Sequence, residues 1–234
     1  MSAYIFDTET TGTEQPDIIE AAWLEIDAPT TLQVVSQFEQ RYQPRHPISL
    51  GALAVHHIYD EELVNCPPCT TFQFPAQAQY MIGHNVDYDW EMAGRPNVKR
   101  ICTLALSRML LPQLDSHSQS ALMYYFFRPH ARERLKNAHS ALADVQNCRF
   151  ILQKMLALLE QPVQTWEQLW ELSEQARLPR VMPFGKHKGT PISELPPDYQ
   201  DWVLRQDSMD PYIKLAIQKA RQALHQPPIT TNAQ

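Results

Sequence analysis

No stretch of the sequence reaches the ~18 consecutive apolar residues that a membrane span needs. The opening MSAYIFDTET has neither a basic leader nor a long apolar core. No secretory signal is therefore expected, and the cytoplasm is the expected compartment. Cysteine is scarce, and Cys66, Cys69, Cys102 and Cys148 form no disulfide framework. CPPC at Cys66–Cys69 is a lone CxxC, without the second pair or the HxxxH that zinc would need. Its two prolines and the TTFQFP that follows read as loop, not as the start of a redox helix. Positive charge is not in excess either. A formal net charge of −6 excludes a protein that coats nucleic acid through bulk positive charge. It leaves room for an enzyme that reaches phosphates through metal ions. No internal repeat or low-complexity tract is present, and 234 residues suffice for one or two domains with a good core.

The elements alternate. AYIF is a short apolar strand, DIIEAAWLEI and LQVVSQFEQRY are two more strand candidates, and YMIG is another buried one. SLGALAVHHI, TLALSRMLL and SQSALMYYFF read as helices. From Ala141 the apolar residues Ala141, Val145, Cys148, Leu152, Met155 and Leu159 recur at alternating steps of four and three, one stripe of a helix. Ser140 is its expected N-cap and Pro162 its stop. Three early strands followed by alternating helices and strands predict an α/β fold with a mixed sheet flanked by helices. Glu160–Gln164 reads as a linker. Thr165 and Gln168 form a capping box for the helix WEQLWELSEQA. Asp210 and Pro211 start a last helix. The expected division is 1–161, 162–225 and a disordered tail, 226–234.

Carboxylates stand where structure alone does not ask for them. Asp144 falls inside or at the edge of the apolar stripe, where an unpaired charge costs several kcal/mol, on the order of a buried ion. A partner Arg or Lys, or a metal ion, would answer it. Asp7 and Glu9, at i and i+2 of the first strand, point to one face and repel unless a cation lies between them. A frayed strand end is the alternative. Asp87 and Asp89 follow the YMIG strand at its exit into a loop, where carboxylates are usually solvated. Taken as a set, Asp7, Glu9, Asp89 and Asp144, with His139 just before the last of them, would offer hard oxygen ligands for Mg²⁺ or Mn²⁺ at one end of a sheet. Two such ions about 4 Å apart serve in-line displacement at phosphorus. A neutral imidazole beside them can take the proton of the attacking water.

FDTETTG, HNVDYD and HSALAD resemble the three motifs of the DEDDh family of 3′→5′ exonucleases. That resemblance implies a ribonuclease-H-like fold and a two-ion phosphodiesterase using Mg²⁺, with Mn²⁺ as a substitute. It implies metal ligands at Asp7, Glu9, Asp89 and Asp144, and catalytic roles for His139 and Glu9, His139 being the general base. Substrate contacts are implied at Thr10, at His56 within VHHI, and at Asn85. IIEAA and TLALSRMLLP resemble further family segments. Thr13 and Glu14 replace the apolar residue many relatives carry after TTG, which implies weak melting of duplex ends. Gln119 stands where relatives often have Asn.

MPFGKHKGTPISELPPDYQDWVLRQDSM resembles the C-terminal part of the exonuclease X branch of that family. Gly185 and Gly189 bracket Lys186, His187 and Lys188, which predicts a basic hairpin within a small, mostly helical module. Lys186 and Lys188 are candidate phosphate contacts or an ordinary solvated turn. The expected activity is a 3′→5′ exodeoxyribonuclease releasing nucleoside 5′-monophosphates, with single-stranded 3′ DNA ends as the expected substrate and no membrane partner. An exoribonuclease of the same family, with RNA as substrate, is the alternative. A catalytically inactive nucleic-acid-binding module would fit a chain missing one of the four carboxylates.

Overall fold

The computed structural model describes residues 2–225, so the tail expected at 226–234 lies outside the described residues. Two compact units form, Met1–Glu174 and Gln175–Gln234.

The first unit is built on a five-stranded mixed sheet. β1 (Ala3–Thr10), β2 (Ile18–Ile26) and β3 (Val34–Arg41) pair antiparallel. β4 (Tyr80–Gly83) and β5 (Lys99–Cys102) add in parallel on the far side of β1, giving the order β3-β2-β1-β4-β5. β1 is central, and nearly all of AYIFDTET is buried, as expected of a strand covered on both faces. β3 is the exposed edge, and its Gln and Glu side chains suit that position. Between β3 and β4 run α1 (Leu50–His56) and α2 (Asp60–Leu63). α3 (Asp87–Met92) joins β4 to β5, and α4 (Thr103–Leu110), α5 (Gln119–Arg134) and α6 (Ala141–Leu156) follow. α6 lays Ala141, Val145, Cys148, Leu152 and Met155 against β1 and β2. No helix among the described residues is long and apolar enough to cross a membrane.

Four expectations need correction. Ser140 holds the N-cap position of α6, but its side chain makes no cap hydrogen bond. The Ala141 N–H donates instead to Glu20 Oε2 on β2, at 2.8 Å. α6 ends at Leu156, so Leu159 lies beyond the helix. The segment carrying Asp87 and Asp89 is the first turn of α3, not a loop. The unit boundary falls inside α7 (Trp166–Ala176), past the expected linker, and side chains of that helix bond to β4 and β5. The Ser173 Oγ accepts the Cys102 N–H at 2.8 Å. Lys99 Nζ donates to both Glu167 oxygens and lies 4.1 Å from the Trp170 ring centre. Trp166 and Leu169 are buried. The Thr165–Gln168 capping box opens the helix, as its sequence predicts.

A chain ending at Gln161 therefore loses part of the first unit's core. Removing a buried Trp costs about 3–5 kcal/mol. We expect urea unfolding to place the 1–161 fragment at least that far below a 1–178 fragment. Equal midpoints would mean that α7 is not part of the first unit.

The second unit holds α8 (Pro197–Arg205) and α9 (Pro211–His225), with Asp210 Oδ1 accepting the Tyr212 N–H at 2.8 Å. Met182, Ile192, Leu195, Val203, Ile213, Ala216 and Ile217 form its core. The predicted hairpin is present. Met182 N–H donates to the Thr190 carbonyl, Gly189 N–H to that of Met182, and Ile192 N–H to that of Arg180. Gly185 and Gly189, at φ +72° and +84°, turn the chain where side-chain-bearing residues are strained.

Candidate metal centre

β1 delivers Asp7 and Glu9 to one face, and the first turn of α6 brings Asp144 over them. One carboxylate oxygen from each of the three lies within 4.8 Å of the other two. Asp89, from the first turn of α3, is buried against β1. Its Oδ1 accepts both the Thr8 N–H, at 3.0 Å, and the Thr8 hydroxyl, at 2.8 Å. Asp89 is thus beside the other three but held by Thr8.

The charges are stacked against one another. Burial pushes the Asp7 carboxyl well above the ordinary carboxylate range, and Asp89, Asp144, Glu9 and Glu20 push it further. Burial and then Asp144, Glu20 and Asp89 raise Glu9 to about 9. Burial raises Asp89 to about 7, against the hydrogen bonds from Thr8. Burial also raises Asp144, opposed by His139 and by hydrogen bonds from the His139 backbone and Gln119. Among the described residues the acidic ion-pair partners include Glu20, Asp17 and Asp87, and none of the four clustered carboxylates is one of them. The Arg or Lys partner considered for Asp144 is therefore not what the fold supplies. Three all-oxygen donors converging with no protein cation between them fit a hard divalent ion.

A sign follows for the metal-free protein. These groups have folded-state pKa values above the unfolded ones, so their favourable contribution is whole below about pH 4 and is lost as pH rises toward 7 to 9. Thermal melts in EDTA should show falling stability over that range, and a saturating divalent ion should flatten the fall. A melting point independent of pH in EDTA would remove the charge cluster from the picture.

The supporting residues were less visible in the sequence. Glu20 lies directly across from Glu9 on β2, an unfavourable pairing of like charges unless it is neutralised elsewhere. Arg41 donates to Glu20 Oε1 at 2.9 Å while Oε2 takes the start of α6. Glu20 thereby fixes the helix end that carries Asp144. A charge in the middle of the apolar run IIEAA was the available signal. Gln119 Nε2 donates to Asp144 Oδ1 at 2.8 Å, and the His139 N–H to Asp144 Oδ2 at 3.1 Å. Asp87, by contrast, pairs with Arg100 at 2.5 Å, and Arg100 stacks 4.2 Å from the Trp90 ring centre. It therefore lies outside the cluster.

The remaining expected site residues are placed as follows. His139 sits in a left-handed turn, φ 67°, with its side chain exposed and outside the three-carboxylate cluster. His56 is buried at the end of α1. Its Nδ1 accepts the Ile58 N–H at 3.0 Å, so the neutral ring carries its proton on Nε2, on the side of the Thr10 backbone. Burial lowers its pKa, which keeps the ring neutral. Thr10 Oγ1 is engaged by the Tyr88 hydroxyl at 2.6 Å and by the Gly12 carbonyl at 3.2 Å. Asn85 is exposed in a left-handed turn, φ 70°, ahead of α3. Cys66 and Cys69 are free thiols, and the segment expected to be a plain loop contains a 3-10 turn at Cys69–Thr71 and a bridge from Pro68 to Gln43.

Comparison with known proteins agrees with the geometry. The Exonuclease family model matches residues 4–152. A second family, described as a candidate quorum-sensing-regulated virulence factor, matches residues 169–215. Exodeoxyribonuclease 10 of Escherichia coli strain K12 is 26% identical over 220 residues, covering 91% of this chain and 96% of that protein. DNA polymerase III PolC-type of Lacticaseibacillus paracasei is 28% identical over 163 residues, 63% of this chain but 11% of that one. Among solved structures, exonuclease X in complex with 5′ overhanging duplex DNA superposes with a TM-score of 0.54 at 23% identity, over 73% of this chain and 99% of that one. With its ordered carboxylates on a ribonuclease-H-like sheet and a family match across most of the first unit, the chain belongs to the exonuclease family, in the DEDDh group of nucleases.

Proposed function

We propose that this protein is a 3′→5′ exodeoxyribonuclease that removes nucleoside 5′-monophosphates from DNA ends, in repair or end trimming. The observation that carries the reading is the convergence of Asp7, Glu9 and Asp144 within 4.8 Å, with Asp89 buried beside them. Asp7, Glu9, Asp89 and Asp144 would hold two Mg²⁺ ions, or Mn²⁺ in their place. Bound there, divalent ions lower the pKa of a water and offset charge on the leaving oxygen.

The chain's own groups do the rest. An imidazole nitrogen of His139 takes the proton of the attacking water. Its backbone N–H is bonded to Asp144, and its ring interacts electrostatically with that carboxylate. His56, whose ring lies beside the Thr10 backbone, is a proposed neighbour of the terminal nucleotide. Thr10, hydrogen-bonded to Tyr88, and Asn85 are the other proposed strand contacts. DNA is favoured over RNA because the two named relatives that span most of their own length here are a deoxyribonuclease and a nuclease bound to DNA.

Matched DNA and RNA strands, single and duplex, blocked at either end, test the reading. With Mg²⁺, a 3′-blocked DNA strand should resist, and a 5′-blocked one should shorten to mononucleotides. Faster digestion of RNA would favour the exoribonuclease. Cleavage only from 5′ ends would sink both.

A further inference from the structure

The second unit differs from the first in charge. It carries eight Lys and Arg against five Asp and Glu, a net of +3. The first unit carries twelve against twenty-one, a net of −9. The acidic balance of the whole chain hides a basic module. Part of that charge is committed, since Arg221 pairs with Asp201 at 2.6 Å. Among the described residues no ion pair holds Lys186 or Lys188, and both stand exposed at the tip of the hairpin.

Aromatic rings stand between and beside these lysines. The His187 ring lies 4.4 Å from that of Tyr199, and Tyr199 stacks on Trp202 at 5.4 Å. The three rings form one ladder across the hairpin and α8. Trp202 remains 44% exposed, and Phe184, at the start of the turn, 46%. The unit has a core of its own, against which Tyr199 packs, while Trp202 and Phe184 are not part of it. Large aromatic faces left in water mark an interaction surface.

The geometry points to a binding site for single-stranded polynucleotide on this module: bases stack on the ladder at Trp202 and on Phe184, and phosphates lie against Lys186 and Lys188. Stacking platforms flanked by lysines accept any base, because every base has a π-face. The charge selects a polyanion, whereas a protein partner would need no matched row of cations. The substrate class rests on the nuclease reading above, but the site lies within the second unit and makes no use of the carboxylate cluster. Carrying it on the same chain raises the effective concentration of the strand at the nuclease unit.

Full-length protein in EDTA, which stops turnover, isolates binding. Anisotropy of labelled oligo(dT) and oligo(U) of about twenty nucleotides covers several stacking positions. Trp202→Ala should weaken binding of both by about tenfold, the loss of a stacked base. Trp202→Phe should restore most of it. Lys186→Ala with Lys188→Ala should lower the slope of log Kd against log salt by ~1.4, two single-strand phosphate contacts. These side chains are exposed, so each variant should keep the wild-type melting curve. Unchanged affinity and salt slope in the folded variants would overturn the site, as would loss in Trp202→Phe equal to that in Trp202→Ala. The nuclease reading is judged separately, by whether the wild type with Mg²⁺ hydrolyses the p-nitrophenyl ester of thymidine 5′-monophosphate, a substrate too short to span two sites.

Discussion

Asp144→Asn should reduce Mg²⁺-supported hydrolysis by about 10³-fold or more, because a metal ligand contributes several kcal/mol of transition-state stabilisation. The substitution keeps volume: its one amide oxygen can accept the His139 N–H, and the Gln119 amide can flip so that its oxygen accepts from the new NH2. It removes one of the charges that push Asp7 and Glu9 upward. In EDTA the variant should therefore melt at or above the wild type at neutral pH. Mg²⁺ at about a hundred times its Kd should stabilise the wild type by about 2.7 kcal/mol, a rise of roughly 5–10 °C for a chain this size. The variant should show little of that rise. The pair of readouts separates a ligand from a structural carboxylate. If Asp144→Asn melted low in EDTA and still kept its Mg²⁺ response, its role would be packing, and the metal assignment would fall.

Much of this site was legible in the sequence because Asp7, Glu9 and Asp144 lie on elements with strong local signals. β1 and β2 are buried strands with dense apolar runs, and α6 carries a long regular stripe. A carboxylate on such an element contradicts its surroundings, and the contradiction is the signal. The missed elements lack that contrast. β5 has four residues and opens on Lys99 and Arg100, which pair with Glu167 and Asp87. α3 has six residues and Val86 at its N-cap, with no side-chain cap hydrogen bond to announce it. The contacts that place the clustered carboxylates are long-range: Thr8 with Asp89, and Glu20 with Ala141. Periodicity along a chain carries no information about such pairs. The Asp87 partner was hidden for the same reason, while the charge buried at Glu20 was visible but unread.

His139 poses the sharper test, since its ring stands exposed while its backbone holds Asp144. A purely structural role would use the N–H and the left-handed turn at φ 67°, both of which glycine preserves without strain. His139→Gly therefore removes the imidazole and leaves the turn. If the ring is the general base, hydrolysis should fall by about 10²-fold or more at saturating strand, with KM little changed. The Mg²⁺-induced rise in melting temperature should stay at the wild-type value, unlike that of Asp144→Asn. Free imidazole added to His139→Gly should then recover part of the rate in proportion to its neutral form, since only that form accepts a proton. His139→Asn offers a second check, because Asn tolerates the left-handed region and presents no basic nitrogen. It should be as slow as His139→Gly and resist rescue, its side chain filling the space. Wild-type turnover in either variant would confine His139 to its backbone and leave the proton to another acceptor.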